Sequence, residues 1–222
     1  MAGVIITGGL GVLGQAVAQA FKAAGFKIAL IDYAAVTEPT LDFTVSGVNL
    51  ADADQAAEAF EQAWTALGDV RALINVAGAF AFEMIDGGDP ILWDRLFNAN
   101  LKTCANMCRA AAPRLPSGGA IVNIGASVAE RAGAGLGAYA ASKSGVARLT
   151  ESLAAELAGR VRVNAVLPLI LDTPQNRRDM PDIDPASWTK PAAVADVIVF
   201  LANEASRAIN GALIPVSAPT TR

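Results

Sequence analysis

Tyr139 and Lys143 stand four residues apart in the run Gly137-Ala138-Tyr139-Ala140-Ala141-Ser142-Lys143, a spacing that puts both on one face of a helix. A phenol ordinarily titrates near pH 10 and accepts protons poorly at neutral pH. A unit charge about 4 Å away contributes roughly 4 kcal/mol at an effective dielectric near 20, which corresponds to about 3 pKa units. An ammonium on Lys143, helped by a second positive charge from a bound cofactor, is therefore expected to bring Tyr139 to a poise suited to general acid–base work. By itself Tyr-x-x-x-Lys is also an ordinary amphipathic face. The rest of the chain narrows the choice: it contains no histidine, so Ser-His-Asp hydrolysis, Cys-His proteolysis and His-ligated metal catalysis are excluded. Proton transfer falls to Tyr, Lys, Asp, Glu or Cys. Cys104 and Cys108, the only two cysteines, read as small buried helix residues rather than as a disulfide framework or a metal pair, and no metal is expected.

A second group suits a dinucleotide. In Thr7-Gly8-Gly9-Leu10-Gly11-Val12-Leu13-Gly14 the glycines at 9, 11 and 14 satisfy G-x-G-x-x-G between an apolar run and an apolar-periodic helix. Side chains there would hold a diphosphate away from the backbone amides, and the helix start adds oriented N–H groups and a positive dipole end. Asp32 ends the next apolar run, eighteen residues after Gly14. A carboxylate at that point accepts from ribose hydroxyls and repels a 2′-phosphate. No Arg or Lys occurs in 33–44 to offset that repulsion, so NAD(H) is expected over NADP(H).

These residues need a scaffold, and the pattern supplies one. Short β-branched runs at 4–7, 27–32, 45–49, 72–77, 120–124, 161–167 and 212–216 alternate with helical stretches at 12–24, 53–66, 90–114, 137–158 and 192–202. This alternation predicts an α/β fold: one doubly wound Rossmann domain over 1–222, with a parallel sheet of about seven strands covered by helices. The 33–44 connection holds Pro39 and no helical period, so a helix is missing there. The 169–190 connection, rich in Pro, Asp and Arg, lies at the carboxyl edge of the sheet and reads as a substrate loop.

Bulk properties set the remaining bounds. With 222 residues, 53% hydrophobic and 17% charged, the chain can bury a large core. A net charge of −4 argues against nucleic acid as a partner. No apolar run approaches the ~18 residues of a membrane span, and the start does not read as a signal peptide, so a cytoplasmic location and no membrane partner are expected.

The ordered motifs together resemble the short-chain dehydrogenase/reductase family, from Gly3 to about Val216. Thr7–Gly14 is similar to its cofactor turn, Asn75-Val76-Ala77-Gly78 to its N-A-G motif, Asn100-Leu101 to its helix asparagine and Tyr139/Lys143 to its catalytic pair. Val163-Asn164-Ala165-Val166-Leu167-Pro168 with Thr173 is similar to the strand and turn that hold the nicotinamide amide. The resemblance implies hydride transfer between NAD(H) and a small carbonyl or alcohol substrate, with Tyr139 as general acid/base and Lys143 binding the nicotinamide ribose. It implies that Asn100 supports a proton-relay water by keeping its helix locally open. It also implies a cofactor-binding set of Gly8, Gly9, Gly11, Val12, Leu13, Gly14, Asp32, Asn49, Leu50, Asn75, Ala77, Gly78, Tyr139, Lys143, Pro168 and Thr173. A homodimer or homotetramer through the 90–114 and 137–158 helices follows from the same likeness.

Departures from the family pattern carry information. Val12 stands where the commonest pattern has its middle glycine, Leu169 replaces the glycine after Pro168, and Asn49 replaces an adenine-contacting aspartate. Ser127 is the only hydroxyl in 123–127 and lies one residue nearer Tyr139 than the family's catalytic serine, with Ala126 at the customary spacing. Ser127 is the candidate for that role. The 8–14 turn, the Gly-Ala element before Tyr139 and the 171–188 segment are also similar to the dihydropteridine reductase branch, which prefers NADH, lacks the helix after the second strand and lacks the serine. Three readings result: a carbonyl/alcohol oxidoreductase, a reductase of a quinonoid pterin, and a non-catalytic NAD(H) sensor. Phe80, Phe82, Met84, Leu136, Met180 and Trp188 are candidates for an apolar substrate pocket or ordinary core.

Overall fold

Val4 and Ile6 point into one hydrophobic core and Ile5 into another, and all three are fully buried. This is the two-residue period of a strand covered on both faces, and it organises the whole molecule. A computed structural model describes residues 1–36 and 41–218. A seven-stranded sheet holds β1 (Gly3–Thr7), β2 (Lys27–Ile31), β3 (Phe43–Val45), β4 (Val70–Asn75), β5 (Gly119–Ile124), β6 (Val161–Pro168) and β7 (Leu213–Val216). The order is β3-β2-β1-β4-β5-β6-β7, and every neighbouring pair is parallel. In register, Ile5 lies between Ala29 of β2 and Leu73 of β4.

Helices cover both faces. Phe21 of α1 (Val12–Ala23) and Ile198 and Leu201 of α7 (Pro191–Ala202) close the core that contains Val4 and Ile6. Phe60 of α2 (Ala53–Leu67), Met107 of α4 (Thr103–Ala111) and Val146 of α5 (Gly137–Glu156) close the one that contains Ile5. Asp52 starts α2 by accepting from the N–H groups of Asp54 and Gln55, a standard N-cap. The strand order reverses between β1 and β4, so their carboxyl ends diverge into a crevice, where ligands bind in open α/β sheets.

Most element bounds fall within two residues of the sequence reading, and three features depart further. The third strand is Phe43–Val45, earlier than 45–49, because Val48 turns away to donate its N–H to the Asp32 carbonyl. The 90–114 stretch is not one regular helix: α3 (Ile91–Leu96) passes through a π-helical segment at Phe97–Lys102 into α4. The 169–190 loop holds a short helix, α6 (Pro174–Asp179), started by the Thr173 hydroxyl accepting from Asn176 N–H with proline at the first turn. A parallel bridge between Leu171 and Thr189 ties the two ends of that loop. Of the 33–44 connection, residues 37–40, including Pro39, lie outside the described residues, and the described part holds no helix. No helix among the described residues is long and apolar enough to cross a membrane.

Candidate active site

A cleft of about 1220 Å³ runs along the carboxyl ends of β1 to β6. It exceeds the ~300–1,000 Å³ usual for one small ligand, leaving room for a cofactor and a substrate together. Its floor is the turn after β1. Gly8 sits at φ +64° and packs against the Ala77 backbone, where a Cβ would come within 2.7 Å. A Cβ on Gly9 would strike Leu30, and one on Gly14 would overlap the Gly8 carbonyl oxygen. Gly11 differs: a Cβ there meets only an ordinary 3.4 Å contact within the protein, yet the residue lines the cleft. Three of the glycines are thus required by packing, whereas Gly11 keeps the floor bare. Gly11 is also the N-cap of α1, and no side chain caps that helix start. Bare helix N–H groups with a positive dipole end suit a diphosphate.

At the far end the Asp32 carboxylate accepts from Leu10 N–H and Ala34 N–H, both at 2.9 Å. It thereby ties the glycine turn to the end of β2 while still lining the cleft beside Asn49 and Leu50. An ionised carboxylate has about four acceptor positions, so two remain for ribose hydroxyls. The residues present fit a dinucleotide.

At the other end α5 brings Tyr139 and Lys143 into the cleft. The Lys143 ammonium is buried and donates to the Ile124 carbonyl at 2.8 Å. Tyr139 is half-buried, with the edge of Phe80 against its ring at 4.9 Å between centroids and 78° between planes. Behind them the buried Asn100 side chain accepts from Ala79 N–H at 2.8 Å and donates to the Ala79 carbonyl at 3.0 Å. It also donates to the Ser142 hydroxyl at 2.9 Å, and Ser142 donates to the Tyr139 carbonyl at 2.7 Å. Asn100 sits within the π-helical segment, and the Thr103 hydroxyl donates to the Asn98 carbonyl. The helix is therefore wider here than a regular α-helix.

Burial acts on both groups. It pushes Tyr139 up to about 12 and pulls Lys143 down to about 8, because desolvation disfavours the charged form of each.

Of the residues singled out in the sequence, Gly8, Gly11, Val12, Leu13, Gly14, Asp32, Asn49, Leu50, Ala77, Gly78, Tyr139, Lys143 and Thr173 line the cleft. Gly9, Asn75, Asn100, Ser127 and Pro168 do not. Asn75 lies beneath it, donating to Asn123 at 2.9 Å and to the Cys108 thiol at 3.4 Å, which joins β4 to β5 and α4 rather than bordering adenosine. Cys104 and Cys108 are buried in that same core. Ser127 donates its hydroxyl to the Leu167 carbonyl at 3.1 Å, so it ties the loop after β5 to β6. Phe80 lines the cleft, but Phe82, Met84, Leu136, Met180 and Trp188 do not, and Trp188 is core.

Residues the sequence reading missed include Arg95, Asn98 and Lys102, which line the cleft from one side of the α3–π–α4 helix. Their i, i+3, i+7 spacing was a readable signal. Ser142, three residues after Tyr139, was another.

Residues 2–184 match the short chain dehydrogenase family. The FabG 3-oxoacyl-acyl-carrier-protein reductase of Thermotoga maritima is 34% identical over 181 residues, covering 76% of this chain and 73% of that protein. The probable galactose dehydrogenase GalD of Rhizobium meliloti is 30% identical over 230 residues, covering 93% and 90% respectively. Among solved structures, the aldohexose dehydrogenase of Thermoplasma acidophilum superposes with a TM-score of 0.88 at 26% identity, covering 97% of this chain and 92% of that one.

Proposed function

Because the chain belongs to the short-chain dehydrogenase family of oxidoreductases, we propose that it interconverts a carbonyl and an alcohol on a small substrate using NAD(H), with Tyr139 as the proton donor and acceptor. The observation that carries this reading is the convergence of Tyr139, Lys143 and the bare glycine floor on one cleft. Gly11, Val12, Leu13 and Gly14 would hold the diphosphate, and Asp32 with Asn49 and Leu50 the adenosine. Lys143, Thr173 and the buried Pro168 would border the nicotinamide. When bound, the reduced cofactor supplies the hydride to the carbonyl carbon and is left oxidised.

In reduction Tyr139 gives its proton to the substrate oxygen, and a neutral phenol suits that step. In oxidation it must first lose that proton, and a positively charged cofactor bound beside Lys143 would favour the phenolate. Asn100 acts at one remove, holding the 78–79 segment and Ser142. Ser127 can polarise the substrate oxygen only by exchanging its bond to the Leu167 carbonyl for one to the ligand.

The Asp32 carboxylate supports NAD(H) over NADP(H) by repelling a 2′-phosphate. Exposed Trp93 and Phe97, one turn apart on the α3–π helix, support a homodimer or homotetramer through this face.

The test is a spectrophotometric assay of NADH and NADPH oxidation with a panel of small ketones, diketones and a quinonoid dihydropterin, and of NAD⁺ reduction with sugars and polyols. Sustained turnover that favours NADH supports the reading. Tight NADH binding without turnover on any class would mean a sensor, and turnover of the pterin alone would mean a pterin reductase.

A further inference from the structure

Resting on the carbonyl/alcohol reading above, we propose that Phe80 contacts the substrate and selects a carbonyl compound bearing a flat aromatic ring next to the reacting carbon, against polyhydroxylated ones. Phe80 lines the cleft immediately beside Tyr139, edge-on to its ring, yet remains 58% exposed. A large apolar ring left open to water beside an acid–base group has an unused face. A ligand ring that covers it gains both buried area and a favourable aromatic geometry.

The chain that follows Phe80 is tied down. The next turns of the chain are pinned to the loop before α5: Glu83 N–H donates to the Gly135 carbonyl at 2.8 Å, and Phe82 seats its ring over Gly135. A Cβ at Gly135 would enter that ring, and the residue sits at φ +72°. Residues 82 and 83 therefore anchor the segment that carries Phe80, which lowers the entropy cost of using it.

The polar lining is distributed to match. Asp32, Asn49 and Asp52 belong to the β2 and β3 side of the cleft, and Arg95, Asn98 and Lys102 to the α3–π–α4 helix. Where the ends of β4, β5 and β6 meet, the lining is Val76, Ala77, Gly78, Ala79, Phe80, Ile124, Leu171 and Thr173 around the Tyr139–Lys143 pair. Thr173 already serves as the cap of α6. Phe80 and its neighbour Ala79, both in the lining, offer a sugar's hydroxyls no side-chain partner, and leaving such groups desolvated and unpaired is costly.

The experiment compares kcat/KM for phenylpropanedione and butanedione in NADH oxidation, and for an aldohexose in NAD⁺ reduction, in the parent chain and in Phe80→Leu and Phe80→Trp. The parent is expected to favour the phenyl compound by roughly tenfold over butanedione. Phe80→Leu, which keeps apolar volume without a ring, should erase most of that ratio, and Phe80→Trp should retain it. An unchanged ratio in Phe80→Leu, or the aldohexose as the best substrate, overturns the assignment of Phe80 while leaving the carbonyl/alcohol reading intact. Failure of all three compounds with either cofactor, in a chain that binds NADH, overturns that reading and this inference with it.

Discussion

Asn100 and Ser142 share a 2.9 Å hydrogen bond, and Ser142 passes it on to the main-chain carbonyl of Tyr139. One buried hydroxyl thus joins the π-helical segment, and through Asn100 the 78–79 segment, to the first turn of the helix that carries the proposed acid–base pair. The link reaches Tyr139 only through its main chain.

Replacing Ser142 by alanine leaves one Asn100 N–H buried and unpaired, which should lower stability by ~1–2 kcal/mol. Because the first turn of α5 then loses its tie to Ala79, kcat should fall while the KM for NADH stays within about twofold. Thermal melts and steady-state kinetics on the same preparation separate the two effects. A destabilised variant with unchanged kcat would make the hydroxyl a packing contact only.

Lys143 is held below its ordinary titration range, down to about 8, by burial. Its ammonium therefore works against folding. The folded chain releases this proton near pH 8 and the unfolded chain near 10.4, so the unfolded state binds more protons in between and this contribution rises with pH across that window. At pH 7 Lys143→Met should be more stable than the parent by ~1–2 kcal/mol and inactive. Its advantage should shrink between pH 8 and 10.5, where both lysine states become neutral. Chemical denaturation at pH 7 and pH 10 measures this. A variant less stable than the parent at pH 7 would mean that the bond to the Ile124 carbonyl outweighs the desolvation.

The glycine floor separates folding from binding. Gly14→Ala puts a methyl into the Gly8 carbonyl oxygen and should cost ~1–3 kcal/mol or more through overpacking. Gly11→Ala meets only an ordinary contact at an extended backbone conformation. It should cost less stability than Gly14→Ala, about 1 kcal/mol or less from the poorer N-cap, but bind NADH at least about tenfold more weakly, as read by fluorescence titration. Equal NADH affinity in Gly11→Ala would remove the diphosphate from this floor.

Much of this was readable in the chain before its fold was seen. The buried β1 run, the glycine turn, Asp32 and the Tyr139/Lys143 pair are local in sequence and governed by period and backbone sterics. They reappear where the pattern put them. Asn75 was misplaced because its partners, Asn123 and Cys108, are distant in the chain, and only the parallel pairing of β4 with β5 brings them under it. The burial that opposes ionisation of Tyr139 was not legible for a related reason: spacing reports proximity, whereas burial depends on every element around the site. Residue 45 ends a strand rather than starting one because Val48 bonds to the Asp32 carbonyl, a choice made by the neighbouring strand. Nothing in the helical period of 90–114 announces the π turn, which the Asn100–Ala79 hydrogen bonds accompany.

The most direct test is Tyr139→Phe, assayed for NADH binding by fluorescence and for turnover on the best carbonyl substrate. Phenylalanine keeps the ring against Phe80 and removes only the transferable proton, so NADH affinity should stay within about twofold while kcat falls by at least ~10²-fold. Turnover close to that of the parent would contradict the account by taking proton transfer away from Tyr139.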